Sequence, residues 1–586
     1  MVKRSGGVYV AEITKRYKNK VYTSHLLRRS YREDGKVKQQ TLGNLSSLPP
    51  EVIALLRHAL RGDQFVPADQ AAEIVKTRLH GHVAAVGAMC RRLGLEALLD
   101  PSPSAERDLV LAMVIARVVE PYPKLSTTAW WQNTTLVEDP NVAAADEDQL
   151  YAAMDWLALR QTRIQQRLAH RHLQEGGLVL YDLTSSYVEG SHCPLAQHGH
   201  NRDGKRGKAQ INYGLLLEPD GRPVAVQVFP GNTADPQTVP AQVQKLKDDF
   251  HLRHIVLVGD RGMLTSARIR DIRAQGDFDW ISALRSKDIQ ALATSGAVSR
   301  SLFDDQDLVE ISSPDFPGER LVLCRNPLLA HERDRTRRAL LDATQQRLDQ
   351  LARRVAAGRL KDPAKIGAAL QRALSRHKVG KHFRCDIAPG RFAYHRDEAR
   401  ISAEAALDGL YVVRTSLPAT SLSAERVVLS YKSLAHAEQA FRTLKSIDLR
   451  VRPIHHHLER RVRAHIFLCM LAYYVQWHLR QAWAPYLFED EFPGRHELDN
   501  PVRPALRSPQ ALDKARTKQT PAGDPVRSFP ALLASLATVA RNELRVPAHP
   551  ELAHFHLITV PDRLQTELFR LVGLEVSAAR RQKTAG

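Results

Sequence analysis

The feature that most constrains the fold is a succession of short apolar segments between residues 178 and 284. The first is LVLYD at 178–182. INYGLLLE and PVAVQVF follow, joined by the turn PDGR, and HIVLVGD at 254–260 and FDWISAL complete the series. Apolar runs of this length, bounded by turn residues, are typical of buried strands. Because helical spacing in PQTVPAQVQKLKDDF separates the third run from the fourth, the order predicts an α/β domain.

Two aspartates stand where strands of this domain are predicted to end. Asp182 closes LVLYD, and Asp260 follows the fourth strand directly. Adjacent strands of one sheet can bring the two carboxylates together. Clustered carboxylates repel one another, so they need cations to stay ionised together. Hard oxygen ligands suit Mg²⁺ or Mn²⁺, and two such ions can act on either side of a phosphodiester.

A third carboxylate lies on a predicted helix, YKSLAHAEQAFRTLK. Tyr431, Glu438 and Lys445 are spaced by seven and share one helix face, with Arg442 one turn beyond Glu438. The apolar residues of the helix form a stripe that can pack on the sheet; they are Leu434, Ala437, Phe441 and Leu444. Such a helix could point Glu438 at the metal site. The alternative is an exposed amphipathic face with an incidental glutamate.

The motifs together resemble those of bacterial insertion-sequence transposases with an Asp-Asp-Glu active site. Their signature is Tyr-x2-Arg-x3-Glu-x6-Lys, and Tyr431, Glu438 and Lys445 match it, whereas Leu434 stands at the arginine position. YDLTSSY and VGDRGM resemble the two aspartate motifs, and the likeness covers roughly residues 177–480.

The resemblance implies an RNase H-like core with an insertion between the second aspartate and the glutamate. It also implies that Asp182, Asp260 and Glu438 are the catalytic residues and hold two Mg²⁺ or Mn²⁺ ions. Members of the group cut at the terminal inverted repeats of their element and join its ends to target DNA.

At 586 residues the chain is too long for one compact core. Changes of pattern along it divide the sequence into predicted parts: 1–50, a basic β-rich unit that could contact DNA; 51–176, a helical domain suited to DNA-end binding; 177–285, the first part of the core; 286–405, the insertion domain; 406–485, the second part of the core with the Glu438 helix; and 486–586, a partly helical C-terminal region. For the first part, a solvated edge hairpin without DNA is the alternative.

The charge balance favours a polyanionic partner. Lys and Arg number 84 against 64 Asp and Glu, a formal net charge of +20. The most apolar run, Ala464–Trp477, is too short for a membrane span and reads as a buried helix. The start MVKRSGGVYV lacks the apolar core of a signal peptide. We therefore expect double-stranded DNA as partner, no membrane, and a cytoplasmic protein associated with the bacterial nucleoid.

The residues expected to contact DNA surround Glu438 in sequence. Tyr431, Lys445 and Arg442 are predicted to position phosphates at the element end, which sets register rather than reads sequence. A dense basic cluster follows and is a plausible DNA track; it consists of Arg450, Arg452, Arg460, Arg461 and Arg463. Synapsis of two ends requires at least a homodimer.

Three other features leave their roles open or point away from metal binding. The basic loop RDGKRGK at 202–208 either contacts phosphates or is a mobile loop. Turn or capping roles suit Asp203, Asp235 and Asp279 better than metal binding. The run of histidines at 455–457 favours a phosphate or surface role, because consecutive residues of a regular element do not converge on one ion.

The leading hypothesis is cut-and-paste DNA transposition. Two alternatives belong to other classes. One is a catalytically silent DNA-binding repressor or architectural protein derived from a transposase. The other is a metal-dependent DNA nuclease without strand transfer.

Overall fold

The structure is a computed structural model. It describes residues 5–18, 20–33, 35–63, 71–274, 278–298, 307–445, 448–491, 501–502, 506–547 and 553–575. The described residues form two compact units. One comprises those of 1–77 and 541–558, and the other those of 78–540 and 559–578.

The strands, in chain order, are β1 (Ser5–Tyr17), β2 (Lys20–Glu33), β3 (Lys36–Asn44), β4 (Glu73–Leu79), β5 (Leu178–Tyr187), β6 (Gln210–Leu217), β7 (Pro223–Pro230), β8 (Ile255–Gly259), β9 (Phe278–Ala283), β10 (Leu308–Ile311), β11 (Arg320–Arg325), β12 (Phe383–Ala388), β13 (Arg391–Arg396), β14 (Leu410–Thr415), β15 (Ala540–Arg545) and β16 (Phe555–Ile558).

The helices, in chain order, are α1 (Pro50–Leu60), α2 (Gly81–Arg92), α3 (Leu95–Leu99), α4 (Ala105–Val119), α5 (Lys124–Trp131), α6 (Pro140–Ala143), α7 (Glu147–His172), α8 (Asp235–Gln244), α9 (Ser266–Ala274), α10 (Ser286–Thr294), α11 (Pro327–Ala356), α12 (Pro363–His377), α13 (Glu398–Ala405), α14 (Ala424–Lys432), α15 (Leu434–Lys445), α16 (Glu459–Ala482), α17 (Pro509–Thr517), α18 (Phe529–Ala537) and α19 (Arg563–Leu571).

The first unit contains the predicted basic β structure. β1, β2 and β3 form an antiparallel sheet, and α1 packs against β1. A second small sheet has the order β16-β15-β4. The prediction of helix for EIVKTRL was therefore wrong, and so was a domain boundary at residue 50, since the unit continues to 77. The β-branched Ile74, Val75 and Thr77 favour extended backbone, and the partner strand β15 is too distant in sequence to be seen from local periodicity.

The second unit is built on one mixed sheet with the order β10-β11-β14-β9-β8-β5-β6-β7. β5 pairs in parallel with β8, and β8 in parallel with β9, whereas β6 and β7 continue antiparallel from β5. β5, β6 and β7 form a meander, and α8 follows it. β8 and β9 then lie on the other side of β5, parallel to it. This order is expected of an RNase H-like core. The predicted fold class is confirmed.

The insertion is smaller than predicted. β10 and β11, which lie inside the predicted 286–405 segment, belong to the main sheet, where β11 pairs with β14 along its whole length. Burial of Leu321, Leu323 and Val412 in one apolar cluster favours this pairing. The part that leaves the sheet comprises α11, α12, the β12–β13 hairpin and α13, and it has a small core of its own around Leu341 and Leu348.

A helical layer covers β7. The segment predicted as a buried helix is α16, which packs against α4, α7 and β7, and nearly all its side chains from Ala464 to Gln476 are buried. Within the described residues, no helix combines the length and the apolarity needed to cross a membrane.

Candidate active site

The register of the central sheet brings the two aspartates side by side. Tyr181 of β5 is paired in parallel with Gly259, the last residue of β8, so Asp182 and Asp260 follow at the same edge. Asp182 was predicted to end its strand, and this was wrong, because β5 continues to Tyr187. The extension is stabilised by pairing with β6, and Ser186 shares a buried 3.1 Å hydrogen bond with Tyr213.

Glu438 reaches the same place from a helix that packs on the sheet. α15 lies against β5, with Ala437, Ala440 and Phe441 buried, and the Phe441 ring meets Tyr213 edge-on at 5.9 Å. The helix was predicted to include Tyr431 without interruption. Instead Ser433 separates α14 from α15, and its hydroxyl donates to the Ser430 carbonyl at 2.7 Å. Side-chain hydroxyls that bond the backbone in this way compete with helical hydrogen bonding.

Asp182, Asp260 and Glu438 line one cavity together, and all three also line a second cavity beside it. Burial, together with the charges of Asp260 and Glu438, raises the pKa of Asp182 to about 7, and the Leu183 amide and Arg202 partly oppose this shift. The Asp260 carboxylate accepts from the Tyr431 hydroxyl at 3.4 Å and from the Gly262 amide at 3.2 Å.

The chemistry of these donors fits a hard divalent cation, because they are carboxylate oxygens and because Asp260 and Glu438 raise the pKa of Asp182. Over the part of the chain that the structure describes, no three Asp, Glu, His or Cys side chains converge closely enough to hold an ion.

Basic side chains line the first cavity alongside the carboxylates; they are Arg202, Arg442, Lys445 and Arg452, with His200 nearby. The Lys445 ammonium donates to Asp203 at 2.9 Å, and Arg452 also pairs with Asp203. Arg202 donates to both oxygens of Asp235, at 2.6 and 2.5 Å. The cavity thus places carboxylates and basic side chains together. The basic side chains are suited to contact a phosphodiester bound there.

The predicted DNA-contact residues divide into those at this cavity and those away from it. Arg442, Lys445 and Arg452 line the first cavity, and Tyr431 lines the second with Leu434. The others lie elsewhere. Arg450 borders a different cavity beside Trp130 and Phe529.

The remaining three arginines are already paired. Arg460 and Arg461 both bind Asp155 of α7. Arg463 donates to Glu459 and to the Val228 carbonyl, the latter at 2.7 Å. Neighbouring acids therefore engage three arginines of the predicted track, whose contact with DNA stays a prediction.

Sequence reasoning left open whether the 202–208 loop contacts phosphates, and it did not anticipate the ion pairs of Arg202 and Asp203. Of this basic loop, Arg202 lines the cavity, while Lys205 and Arg206 are exposed. Turn or capping roles were predicted for Asp203 and Asp235, and both instead anchor cations by ion pairs. Asp279 accepts from the Ser416 hydroxyl at 2.6 Å. The available signal was the density of charge in RDGKRGK, but its partner Lys445 lies far away in the chain.

The three histidines at 455–457 do not form a metal site. His456 packs against His465 with ring centroids 5.1 Å apart, and His457 meets His192 edge-on at 5.9 Å. His455 is exposed. The prediction of a surface or phosphate role rather than metal binding is compatible with this arrangement.

Two family models match this chain. Residues 174–475 match the family described as "Transposase DDE domain", and residues 10–71 match "IS1634 family transposase, N-terminal domain". No curated protein matches the sequence. One similar solved structure is that of a piggyBac transposase synaptic complex with hairpin DNA, at 8% identity and a TM-score of 0.33, covering 78% of this chain and 76% of that one.

The first match spans more than half of the chain and includes all three predicted catalytic carboxylates. It confirms the resemblance to insertion-sequence transposases, whereas membership of the narrower signature group stays a prediction. The chain belongs to the DDE transposases, enzymes that cleave DNA and transfer its strands.

Proposed function

We propose that this transposase excises its element and inserts it into target DNA by cut-and-paste transposition, with Asp182, Asp260 and Glu438 as its catalytic residues. The observation that carries the proposal is the convergence of these carboxylates from β5, from the end of β8 and from α15 on one cavity. Water attacks the phosphodiester at the element end, and the bond to the 3′ oxygen breaks. The freed 3′ hydroxyl then attacks a target phosphate in line, and the bond from that phosphate to the target strand's own 3′ oxygen breaks, so the target 3′ hydroxyl leaves.

DDE transposases generally use divalent metal ions. For this chain we propose two Mg²⁺ or Mn²⁺ ions held by Asp182, Asp260 and Glu438. Bound cations would supply activation of the attacking oxygen and stabilisation of the leaving one. The protein's own contribution is positional. The Tyr431 hydroxyl orients the Asp260 carboxylate, and α15 holds Glu438 against the sheet.

The proposed partner is double-stranded DNA, both the terminal inverted repeats and the target. Tyr431, Arg442, Lys445 and Arg452 contact phosphates at the reacting end. Arg450, Arg460, Arg461 and Arg463 form a peripheral set whose contribution is smaller, because acids already engage three of them. The basic β1–β3 sheet and the helices of residues 78–176 recognise the ends, and two copies of the chain hold the two ends in the synaptic complex. The protein acts at the bacterial nucleoid.

A plasmid excision assay tests the assignment. The substrate carries the inverted repeats that flank the gene, and the variants are Asp182→Ala, Asp260→Ala and Glu438→Ala, with the exposed Asp513→Asn on α17 as control. We expect loss of excision in the three variants, retained DNA binding, and full activity in the control. Retained excision in Glu438→Ala rejects that residue as catalytic.

The same assay separates the alternatives. Wild-type binding to the repeats without any cleavage would favour a silent repressor. Cleavage without joining of the released ends to target DNA would favour a nuclease. Joined products with defined target duplications support the proposal.

A further inference from the structure

Asp203 is a buried carboxylate that is ion-paired with two residues lining the catalytic cavity, Lys445 and Arg452. Its side chain is 1% exposed. One oxygen accepts from the Lys445 ammonium at 2.9 Å and from the Arg452 guanidinium, and the other accepts from the Tyr187 amide at 3.1 Å. Two cations and a backbone donor compensate this carboxylate for its lost hydration.

The neighbouring residue makes a parallel arrangement. The Arg202 amide donates to the Ser185 hydroxyl at 3.1 Å, which fixes the backbone of the loop against β5. Its guanidinium is held through one nitrogen by Asp235, the first residue of α8. Arg202 therefore lines the cavity beside Asp182 with its conformation set by a second carboxylate.

The three cations held in this way keep unused donors. An arginine has five N–H donors and a lysine three. Among the contacts of the described residues, the anchoring carboxylates contact one guanidinium nitrogen of Arg202 and one of Arg452. They accept one hydrogen bond from the Lys445 ammonium. Arg202 and Arg452 remain 22% and 30% exposed at the cavity. Fixing such a long side chain in advance removes rotamer entropy that phosphate binding would otherwise cost.

We infer that Asp203 and Asp235 are positioning residues that hold Lys445, Arg452 and Arg202 as a preformed phosphate-binding cluster, in which Arg202 is a further contact to the DNA backbone at the reacting end. This inference rests on the proposed function, since the ligand is the phosphate chain of the element end. It adds one contact residue and two anchors to that function.

Asp203 could also have the opposite effect on DNA binding, and a binding experiment distinguishes the two roles. A carboxylate that pairs with two cations could compete with phosphate for them. Removal of its charge would then strengthen DNA binding. If Asp203 positions the cations, removal of its charge weakens DNA binding, because the cations no longer have a fixed geometry.

The experiment measures affinity for a short fluorescent duplex that ends at the inverted repeat flanking the gene. Titrations are run over a range of KCl concentrations with a chelator present, so that cleavage does not occur. We expect Asp203→Asn to weaken binding about tenfold or more. The slope of log K against log salt should fall by about 0.9 for each phosphate that the variant no longer neutralises. Tighter binding by Asp203→Asn, with an equal or steeper slope, overturns the inference.

A double-mutant cycle shows whether Asp203 acts through its cations. In a Lys445→Met, Arg452→Met background, Asp203→Asn should change affinity little, because the groups that it positions are gone. A full additional loss in that background identifies a merely structural effect and overturns the inference. Arg202→Gln provides a separate test should Asp203→Asn fail to fold. It should lower the salt slope by about 0.9, and an unchanged slope removes Arg202 from the contact set.

The failure of this inference can be told apart from failure of the proposed function. If wild-type protein binds the duplex but does not cleave it when metal is supplied, the proposed function is wrong. The comparison of binding slopes still tests the roles of Arg202 and Asp203 in that case. Cleaving wild-type protein with an Asp203→Asn variant of higher affinity defeats only the inference.

Discussion

Position 434 is where this active site departs from the signature that it otherwise matches. Leu434 is half-buried at the start of α15 and lines the second cavity, beside Tyr431 and Lys432. An arginine here would sit at the edge of the carboxylate cavity, where the element end is proposed to bind. In the proposed complex with the element end, the leucine would leave out the phosphate contact that an arginine would make.

We predict that Leu434→Arg strengthens binding to the end duplex. The slope of log K against log salt should steepen by about 0.9, the value for one added phosphate contact. Fluorescence anisotropy over a series of KCl concentrations measures it, with Leu434→Met as the control that adds no charge. An unchanged slope would show that the DNA backbone does not pass this residue.

The identity of the three carboxylates could be predicted from the sequence, but their spatial arrangement could not. Asp182 and Asp260 were identifiable because each follows an apolar run, and Glu438 because of its spacing from Tyr431 and Lys445. The pairing of Lys445 with Asp203 could not be predicted, because an ion pair between residues so far apart in the chain leaves no local pattern. In Asp203–Gly204 the local signal is that of a turn, and the long-range charge is what determines the role of the aspartate.

Among the secondary structure elements, α15 depends on a turn outside it. The β6–β7 turn presents the Pro219 carbonyl to His436 Nδ1 at 2.6 Å, two residues before Glu438. Gly221 in that turn has a φ of +87°, and a Cβ there would lie 2.9 Å from the His436 Cβ. The turn thus helps to set the position of the helix that carries the third carboxylate.

We predict that Gly221→Ala lowers both stability and cleavage. The strained backbone costs about 1–2 kcal/mol, and the clash displaces α15 from the sheet. Gly523→Ala is the matched control, since Gly523 has a φ of +82° but no atom within 4 Å of the position that an added methyl group would take. It should lower Tm and leave the cleavage rate intact. Cleavage by Gly221→Ala at the wild-type rate would contradict a role for the turn.

Lys124, the first residue of α5, makes the helical part of the second unit sensitive to pH. It is 6% exposed, and burial, together with the charge of Arg117, lowers its pKa from 10.5 to about 7. The groups around it include His456, His465 and Cys469. Burial lowers the pKa of both histidines and raises that of the thiol. The two histidines are thus neutral at pH 7 and above.

We predict that Lys124→Met raises Tm at pH 7 and that the difference from wild type closes as the pH approaches 10.5. Because the folded pKa is depressed, the unfolded chain binds more protons between pH 7 and 10.5, so wild-type stability rises with pH over that range. The penalty at pH 7 is on the order of a few kcal/mol. Thermal melts at a series of pH values measure it, and parallel Tm profiles for the two proteins would contradict the prediction.

Secondary structure followed from the sequence where local and tertiary preferences agreed. The strands of the core and the buried α16 are such cases. The exceptions share one cause, which is pairing with a distant segment. β4 is a strand because β15 is its partner. β5 extends beyond its apolar run because β6 pairs with its serines. β11 joins the main sheet because it pairs with β14.

At the scale of the whole molecule, a net charge of +20 favours assembly on DNA, whose phosphates neutralise it. We predict that the complex formed with end duplex contains two chains and two duplexes, as synapsis requires. Mass photometry at salt concentrations that permit strand joining measures the stoichiometry. A single chain on a single duplex, under conditions in which both ends are joined to target, would contradict the proposed dimer.

We expect Asp182, Asp260 and Glu438 to meet around divalent ions when DNA is bound. Anomalous scattering from Mn²⁺ in crystals of the cleavage-competent complex with end duplex tests it most directly. We expect two manganese peaks between the scissile phosphate and these three carboxylates, and loss of at least one peak in Glu438→Gln. Peaks held by other residues, with Glu438 turned away from the scissile phosphate, would contradict it.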